Sequence, residues 1–193
     1  MIGGKMKVFY FDTETTGLNP QKNDIVQLGY IIEIDNEIKE KGSINMQPFD
    51  YNNIEASALA THQISVEQMK TFNSPQIVYS KLISILNKYI NKYDRNDKFI
   101  PAGFNVKFDM EFLQNFFIKN GDKYFGSYFD YHFIDAMALL FLKRYAGKIH
   151  LDNYKLETAS KYYGIKIQAH DALSDIEATR ELIIRMIKEI NWS

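Results

Sequence analysis

Apolar and polar positions follow two different periods along this chain. Val8-Phe9-Tyr10-Phe11 is an unbroken run of β-branched and aromatic residues, so Met6 to Phe11 predicts a strand buried in a sheet. Gln27 to Ile34 predicts a second strand and Gly42 to Met46 part of a third, with a hairpin around Asp35-Asn36-Glu37. The period then changes. Ser65 is placed to cap a short helix through Gln68, and Ser74-Pro75 opens a longer one, because proline suits the first helical position. Behind it Val78, Leu82, Ile85, Leu86, Tyr89 and Ile90 fall at helical spacing. After a polar break from Asp94 to Asp97, Phe99 to Phe104 predicts a short strand, and helical periodicity runs from Asn105 through Phe117. Phe129 to Phe133 predicts a fifth strand. Ile134 to Tyr145 and Lys155 to Tyr163 predict helices, the second stopped by Gly164, and Ala172 to Ile190 predicts a last amphipathic helix. A hairpin-rich start followed by alternating strands and helices makes an α/β protein, a mixed sheet with helices packed on its faces.

Composition narrows the class. A length of 193 residues suits one domain over 1–193 with a sizeable core, Met1 to Lys5 being a loose extension. With 46% hydrophobic and 24% charged residues the chain is not a disordered one. The absence of cysteine rules out disulfides, thiolate nucleophiles and cysteine zinc sites. No apolar run is long enough to span a bilayer and the N-terminus lacks a signal-peptide core, so a cytoplasmic protein without a membrane partner is expected. The net charge of −1 argues against a broad basic surface that wraps duplexes, but suits a cleft that holds a few nucleotides.

The chemistry gathers where the first strand ends. Residues two apart on a strand share a face, so Asp12 and Glu14 present two carboxylates side by side, with Thr13 turned away. Two such groups at the end of a buried strand repel and are costly to desolvate, and the ordinary compensation is a hard divalent cation with oxygen ligands. Asp109 opens a helix that follows a later strand, and Asp175 lies early in the final helix, five residues after His170. Four carboxylates can hold two Mg²⁺ or Mn²⁺ ions, and a neutral imidazole can take the proton of a water beside them.

Three segments carry a resemblance. They are Phe11-Asp12-Thr13-Glu14-Thr15-Thr16-Gly17, then Gly103-Phe104-Asn105-Val106-Lys107-Phe108-Asp109, then His170-Asp171-Ala172-Leu173-Ser174-Asp175. In this order the chain resembles the DEDDh 3′–5′ exonucleases, the DnaQ-like family that includes the proofreading epsilon subunit of bacterial DNA polymerase III. The resemblance implies a ribonuclease H-like fold with a five-stranded mixed sheet. It also implies Asp12, Glu14, Asp109 and Asp175 as ligands of two divalent metal ions, and His170 as general base. Thr15, Thr16, Gly17, Leu18, His62, Asn105 and Phe108 are the candidate contacts to the terminal nucleotide. Gln63 stands where such enzymes often carry the glycine of a His-Gly-Ile segment. Asp135 and Asp152 are left out of the metal site, and Asp171 is read as a helix-end acid.

The activity expected is removal of nucleoside 5′-monophosphates from the 3′ end of single-stranded nucleic acid, DNA favoured, in proofreading or repair and with a DNA polymerase as a candidate partner. The alternatives are an oligoribonuclease or RNA 3′-end trimming enzyme and, from another class, a non-catalytic module that binds nucleic acid or a polymerase.

Overall fold

The structure, a computed structural model, describes residues 6–167 and 171–189. Its centre is the first strand, β1 (Lys7–Thr15). β2 (Ile25–Ile34) and β3 (Glu37–Asn45) follow as an antiparallel hairpin, whose turn places Asp35 and Asn36 at φ 53° and 67°. Positive φ at both central residues is what a two-residue hairpin turn of type I′ requires. Next come α1 (Ala56–His62), α2 (Val66–Met69) and α3 (Pro75–Asn87). Ser65 and Gln68 form a reciprocal capping box on α2, and Ser74 caps α3 with Pro75 in its first turn. β4 (Ile100–Gly103) leads into α4 (Val106–Lys119), and β5 (Ile134–Asp135) leads directly into α5 (Ala136–Tyr145). α6 (Leu156–Tyr162) and α7 (Ala172–Lys188) complete the chain.

Among the described residues the five strands form one sheet in the order β3-β2-β1-β4-β5. β1 pairs antiparallel with β2 and parallel with β4, and β4 is parallel to β5, so the sheet is mixed. Both faces of β1 are buried. Phe9 and Phe11 enter one core with α3 and α4, while Val8 and Tyr10 enter a second core with α5, α6 and α7. Phe9 and Phe11 are each fully buried, worth roughly 1.5–3 kcal/mol apiece. This alternation positions the site, because β1 carries its odd residues toward α4 and its even residues toward α7. No helix among the described residues is long and apolar enough to cross a membrane.

Several expected boundaries move. β1 continues through Asp12 and Glu14 to Thr15 instead of stopping at Phe11, because β2 pairs with it along that whole length. The fifth strand is not Phe129 to Phe133. Phe129 makes only an isolated bridge to Phe99, and the strand proper is Ile134–Asp135, paired with Ala102 and Gly103. The aromatic run there is rich because Phe129 is buried in the core, not because the run is extended in the sheet. α5 accordingly begins at Ala136, with Asp135 as its N-cap, not at Ile134. Ile190, the expected end of the last helix, lies outside the described residues.

Gly29 of β2 sits directly across from Asp12. A Cβ there would lie 2.2 Å from the backbone oxygen of Ala172 in α7. The missing side chain therefore lets the first turn of α7 close onto the sheet beside Asp12. Overpacking against backbone costs about 1–3 kcal/mol. Gly29→Ala is expected to lower the melting temperature by several degrees, at roughly 2–4 °C per kcal/mol for a chain of this size, and to weaken Mn²⁺ binding with it. Unchanged melting and metal affinity would show that α7 has room to spare.

Candidate active site

The even face of β1 ends in Asp12 and Glu14, and α7 supplies the third carboxylate. Asp171 caps α7 by accepting from the Ser174 N–H at 2.9 Å, and the Ala172 N–H donates to Gln27 Oε1 at 3.0 Å. The helix start is thus tied to β2, and Asp175 falls in its first turn. Asp12, Glu14 and Asp175 each offer an oxygen, and the three oxygens lie within 4.8 Å of one another.

Asp109 arrives from the other side. It rides on the first turn of α4, which packs on the odd face of β1, and so meets Thr13. Its Oδ1 accepts from the Thr13 N–H at 2.9 Å and from the Thr13 hydroxyl at 2.7 Å. The residue expected to turn away from the chemistry is therefore the one that anchors the fourth carboxylate. Asp109 remains close enough for its charge to act on both Asp12 and Glu14.

Burial and mutual repulsion leave these groups reluctant to ionise. Burial, then the charges of Asp109, Glu14 and Asp175, hold Asp12 well above the usual carboxylate range. Burial, then Asp175 and Asp109, push Glu14 from its ordinary 4.5 to about 8. Burial raises Asp109 to about 7 against the lowering effect of its bonds from Thr13. Crowded, desolvated oxygens of this kind fit a hard divalent cation, which would relieve the repulsion and satisfy the oxygens at once.

The sign of the pH dependence follows. A carboxyl whose folded pKa exceeds its unfolded value binds its proton more tightly in the native state. The metal-free protein is therefore expected to lose stability as pH rises from about 4.5 to about 8. A divalent cation competes with the same protons. The rise in melting temperature caused by Mn²⁺ should be large at pH 8.5 and small at pH 6; a pH-independent rise would contradict the geometry.

A cavity of about 290 Å³ opens beside Glu14. Of the expected substrate contacts, Thr15, Gly17, Leu18, His62 and Phe108 line it. Leu18 is 77% exposed at its edge, a conspicuous position for a leucine. His62 is buried, and its Nδ1 accepts from the Ile64 N–H at 3.0 Å, which puts the proton of the neutral ring on Nε2. Gln63, next in the chain, closes α1 in the left-handed region at φ 60°, a conformation that glycine adopts more readily.

Two expected contacts lie elsewhere. Thr16 is fully buried, with its hydroxyl accepting from the Asp24 N–H at 2.9 Å, so it builds the turn and does not line the cavity. Asn105 is an exposed, left-handed N-cap of α4 at φ 58°, its N–H donating to Asp135 Oδ1 at 2.9 Å. Asp135, left out of the metal site, is thus occupied with two backbone N–H groups, those of Asn105 and Met137. His170 lies outside the described residues.

Sequence reasoning overlooked one wall of the cavity. Ser57, Ala58 and Thr61 line it from α1, and the small-residue run Ala56-Ser57-Ala58 was the available signal, since a helix face without bulk leaves space. Glu55 was also overlooked. Its N–H donates to Thr16 O at 2.8 Å, and a Cβ on Gly17 would lie 2.3 Å from its Oε1. Gly17 lets the Glu55 and Asn23 side chains approach this closely, and no local pattern announces it.

Comparison with known proteins adds to this geometry. A family model described as Exonuclease (RNase_T) matches residues 9–183. DNA polymerase III PolC-type of Caldanaerobacter subterraneus subsp. tengcongensis is 25% identical over 182 residues, covering 93% of this chain and 11% of that protein. Among solved structures, the zinc ion bound form of the E. coli ExoI–ssDNA complex superposes with a TM-score of 0.77 at 19% identity, over 95% of this chain and 40% of that one. E. coli Exonuclease I in complex with a dT13 oligonucleotide superposes at 0.75 and 19%, over 94% and 40%. The chain therefore spans about a tenth of the polymerase and two-fifths of the exonuclease I chains. At these identities the structural likeness establishes the ribonuclease H-like exonuclease fold.

Proposed function

The chain belongs to the exonuclease family, and on that premise we propose that it hydrolyses single-stranded nucleic acid from the 3′ end and releases nucleoside 5′-monophosphates, with DNA as the preferred substrate. The observation that carries this reading is the meeting of Asp12, Glu14 and Asp175, of which Glu14 also lines a cavity of about 290 Å³, the small end of ligand-site sizes. The whole domain, 1–193, serves this one site.

Asp12, Glu14 and Asp175, with Asp109 behind them, would hold two Mg²⁺ or Mn²⁺ ions. Ions bound there supply a water of lowered pKa and neutralise charge on the phosphodiester. The chain's own residues do the rest. Thr15, Gly17, Leu18, His62 and Phe108 receive the terminal nucleoside, with Leu18 against the base. Thr16 holds the turn behind Thr15 and Gly17, and Asn105 caps the helix that bears Phe108, its carbonyl accepting from the Phe108 N–H. His170, next in sequence to the α7 cap Asp171, takes the proton of the attacking water.

The histidines inside the described residues support that assignment by default. His62 has its Nδ1 lone pair engaged by Ile64, so its ring is a donor, not a base. His132 is exposed with its Nδ1 2.8 Å from Asp130, and His150 is exposed in the connection before α6. The complete set of four acids and His170 argues against a binding-only module.

A polymerase is a proposed partner on account of the PolC-type relative, with proofreading or repair as the role. The RNA-trimming reading has one observation in its favour: Ser57 places a hydroxyl on the cavity wall, where a ribose 2′-OH could be met. Initial rates on single-stranded DNA and RNA of matched sequence separate the two. The proposal expects faster loss of DNA and 5′-monophosphates as the product by chromatography. Faster loss of RNA would convert the reading to the trimming enzyme.

A further inference from the structure

Charge is unevenly spread on this molecule. The segment 141–166 carries six lysine or arginine residues against two acids, in a chain of net charge −1. It covers the end of α5, the connection after it, and α6. Both helices pack against α7, so their other sides form the solvent face of that layer.

One of the six cations, Lys143, is paired with Glu189, the C-cap of α7. Arg144, Lys148, Lys155, Lys161 and Lys166 are exposed. Large apolar side chains are interleaved with them. Phe141, Leu142, Tyr145 and Tyr162 are all exposed, Tyr145 at 91%. Phe141 stacks on Tyr154 with ring centroids 4.9 Å apart and planes 29° from parallel, and the Arg144 guanidinium lies 5.0 Å over the Tyr154 ring. These contacts join α5 to the end of the connection that leads into α6.

Water-exposed aromatics among cations need a ligand that offers both negative charge and flat apolar faces. A nucleic acid strand offers one phosphate and one base per residue, and an unpaired strand leaves the base faces open for stacking. A duplex hides those faces, so the aromatic half of the surface favours the single strand.

We propose that the exposed surface formed by the end of α5, the connection 146–155 and α6 is a second binding surface for the single-stranded substrate, taking nucleotides on the 5′ side of the terminus that is cut. Lys148 and Lys155 take phosphates, and Tyr145 stacks on a base. The class of ligand rests on the exonuclease reading above. Lys143 ties this surface to Glu189 at the far end of α7 from Asp175, about 20 Å along the helix at 1.5 Å per residue, so a strand must extend several nucleotides past the terminus to reach it. Affinity should accordingly grow with strand length beyond what the terminal nucleotide alone supplies.

The test uses the full chain in chelator, with a 5′-labelled single strand of about 20 nucleotides followed by fluorescence anisotropy at several salt concentrations. The variant Lys148→Glu/Lys155→Glu should bind about tenfold more weakly. Its slope of log affinity against log salt should shrink by about 1.4, two phosphate contacts at about 0.7 each. Tyr145→Ala should lose about fivefold or more, the range of one stacked base. Cleavage of a dinucleotide with metal present should stay within about twofold of wild type in both variants. Unchanged affinity and salt slope would overturn the proposal and leave this face for an acidic protein partner. Equal losses on the long strand and the dinucleotide would also overturn it, since the damage would then be at the acidic site. If the wild type binds the strand through these residues yet cleaves neither substrate, the surface stands and the exonuclease reading falls.

Discussion

Asp12→Ala is expected to give a folded protein whose nuclease rate is lower by on the order of a thousandfold or more, with Mn²⁺ affinity reduced in parallel. Loss of a residue that only supports a metal ligand already costs roughly 10–100-fold, and Asp12 belongs to the carboxylate group itself. A second effect separates this outcome from simple misfolding. Asp12 is held well above the usual carboxylate range by burial and by Asp109, Glu14 and Asp175. Removing it removes a carboxyl that the fold holds protonated and that the unfolded chain would ionise at pH 8, so the metal-free variant should melt no lower than wild type there, and somewhat higher. A site that is less stable with its functional residue than without it is the usual sign of function kept at the expense of stability. Calorimetry and a Mn²⁺ titration on the same preparation decide the matter. An unchanged titration would remove Asp12 from the ligand set.

His170→Ala should separate the two functions of the site. Metal binding is expected to survive within about threefold, while turnover falls by about 10²–10⁴, the usual contribution of a general base. The metal titration and the single-turnover rate must be read together. Preserved turnover would take His170 out of the mechanism. A loss of metal affinity as large as that in Asp12→Ala would make it a ligand instead.

The parts of this fold that were legible in sequence are those set by neighbours in the chain. The turn at Asp35-Asn36, the Ser65 cap, the Ser74-Pro75 helix start and the Gly164 stop after α6 each depend on a few adjacent residues. The two-residue strand Ile134–Asp135 does not. It exists because Ala102 and Gly103 pair with it, and a run of aromatics just before it imitates a strand while Phe129 fills the core. Pairing partners outside the segment overrode its propensity.

The site divides in the same way. Period-two alternation was enough to put Asp12 and Glu14 together, and helix position was enough to place Asp175 in a first turn. What alternation could not tell was the side from which each helix approaches. α4 lies on the odd face and α7 on the even face, so Asp109 is anchored by Thr13 while Asp175 joins Asp12 and Glu14. Thr16 and Gly17 look like one motif in the sequence, yet the first is buried in the turn and the second lines the cavity. Gly29 carried no local signal, because the reason for it is the backbone of Ala172, 143 residues later.

The account stands most directly on a digestion of 5′-labelled single-stranded DNA by the purified chain, run with Mg²⁺, with Mn²⁺ and with chelator. It predicts a ladder of labelled strands that shortens from the 3′ end with either metal and no shortening with chelator. Cleavage that persists in chelator, or an intact strand in the presence of a protein that binds Mn²⁺, would contradict it.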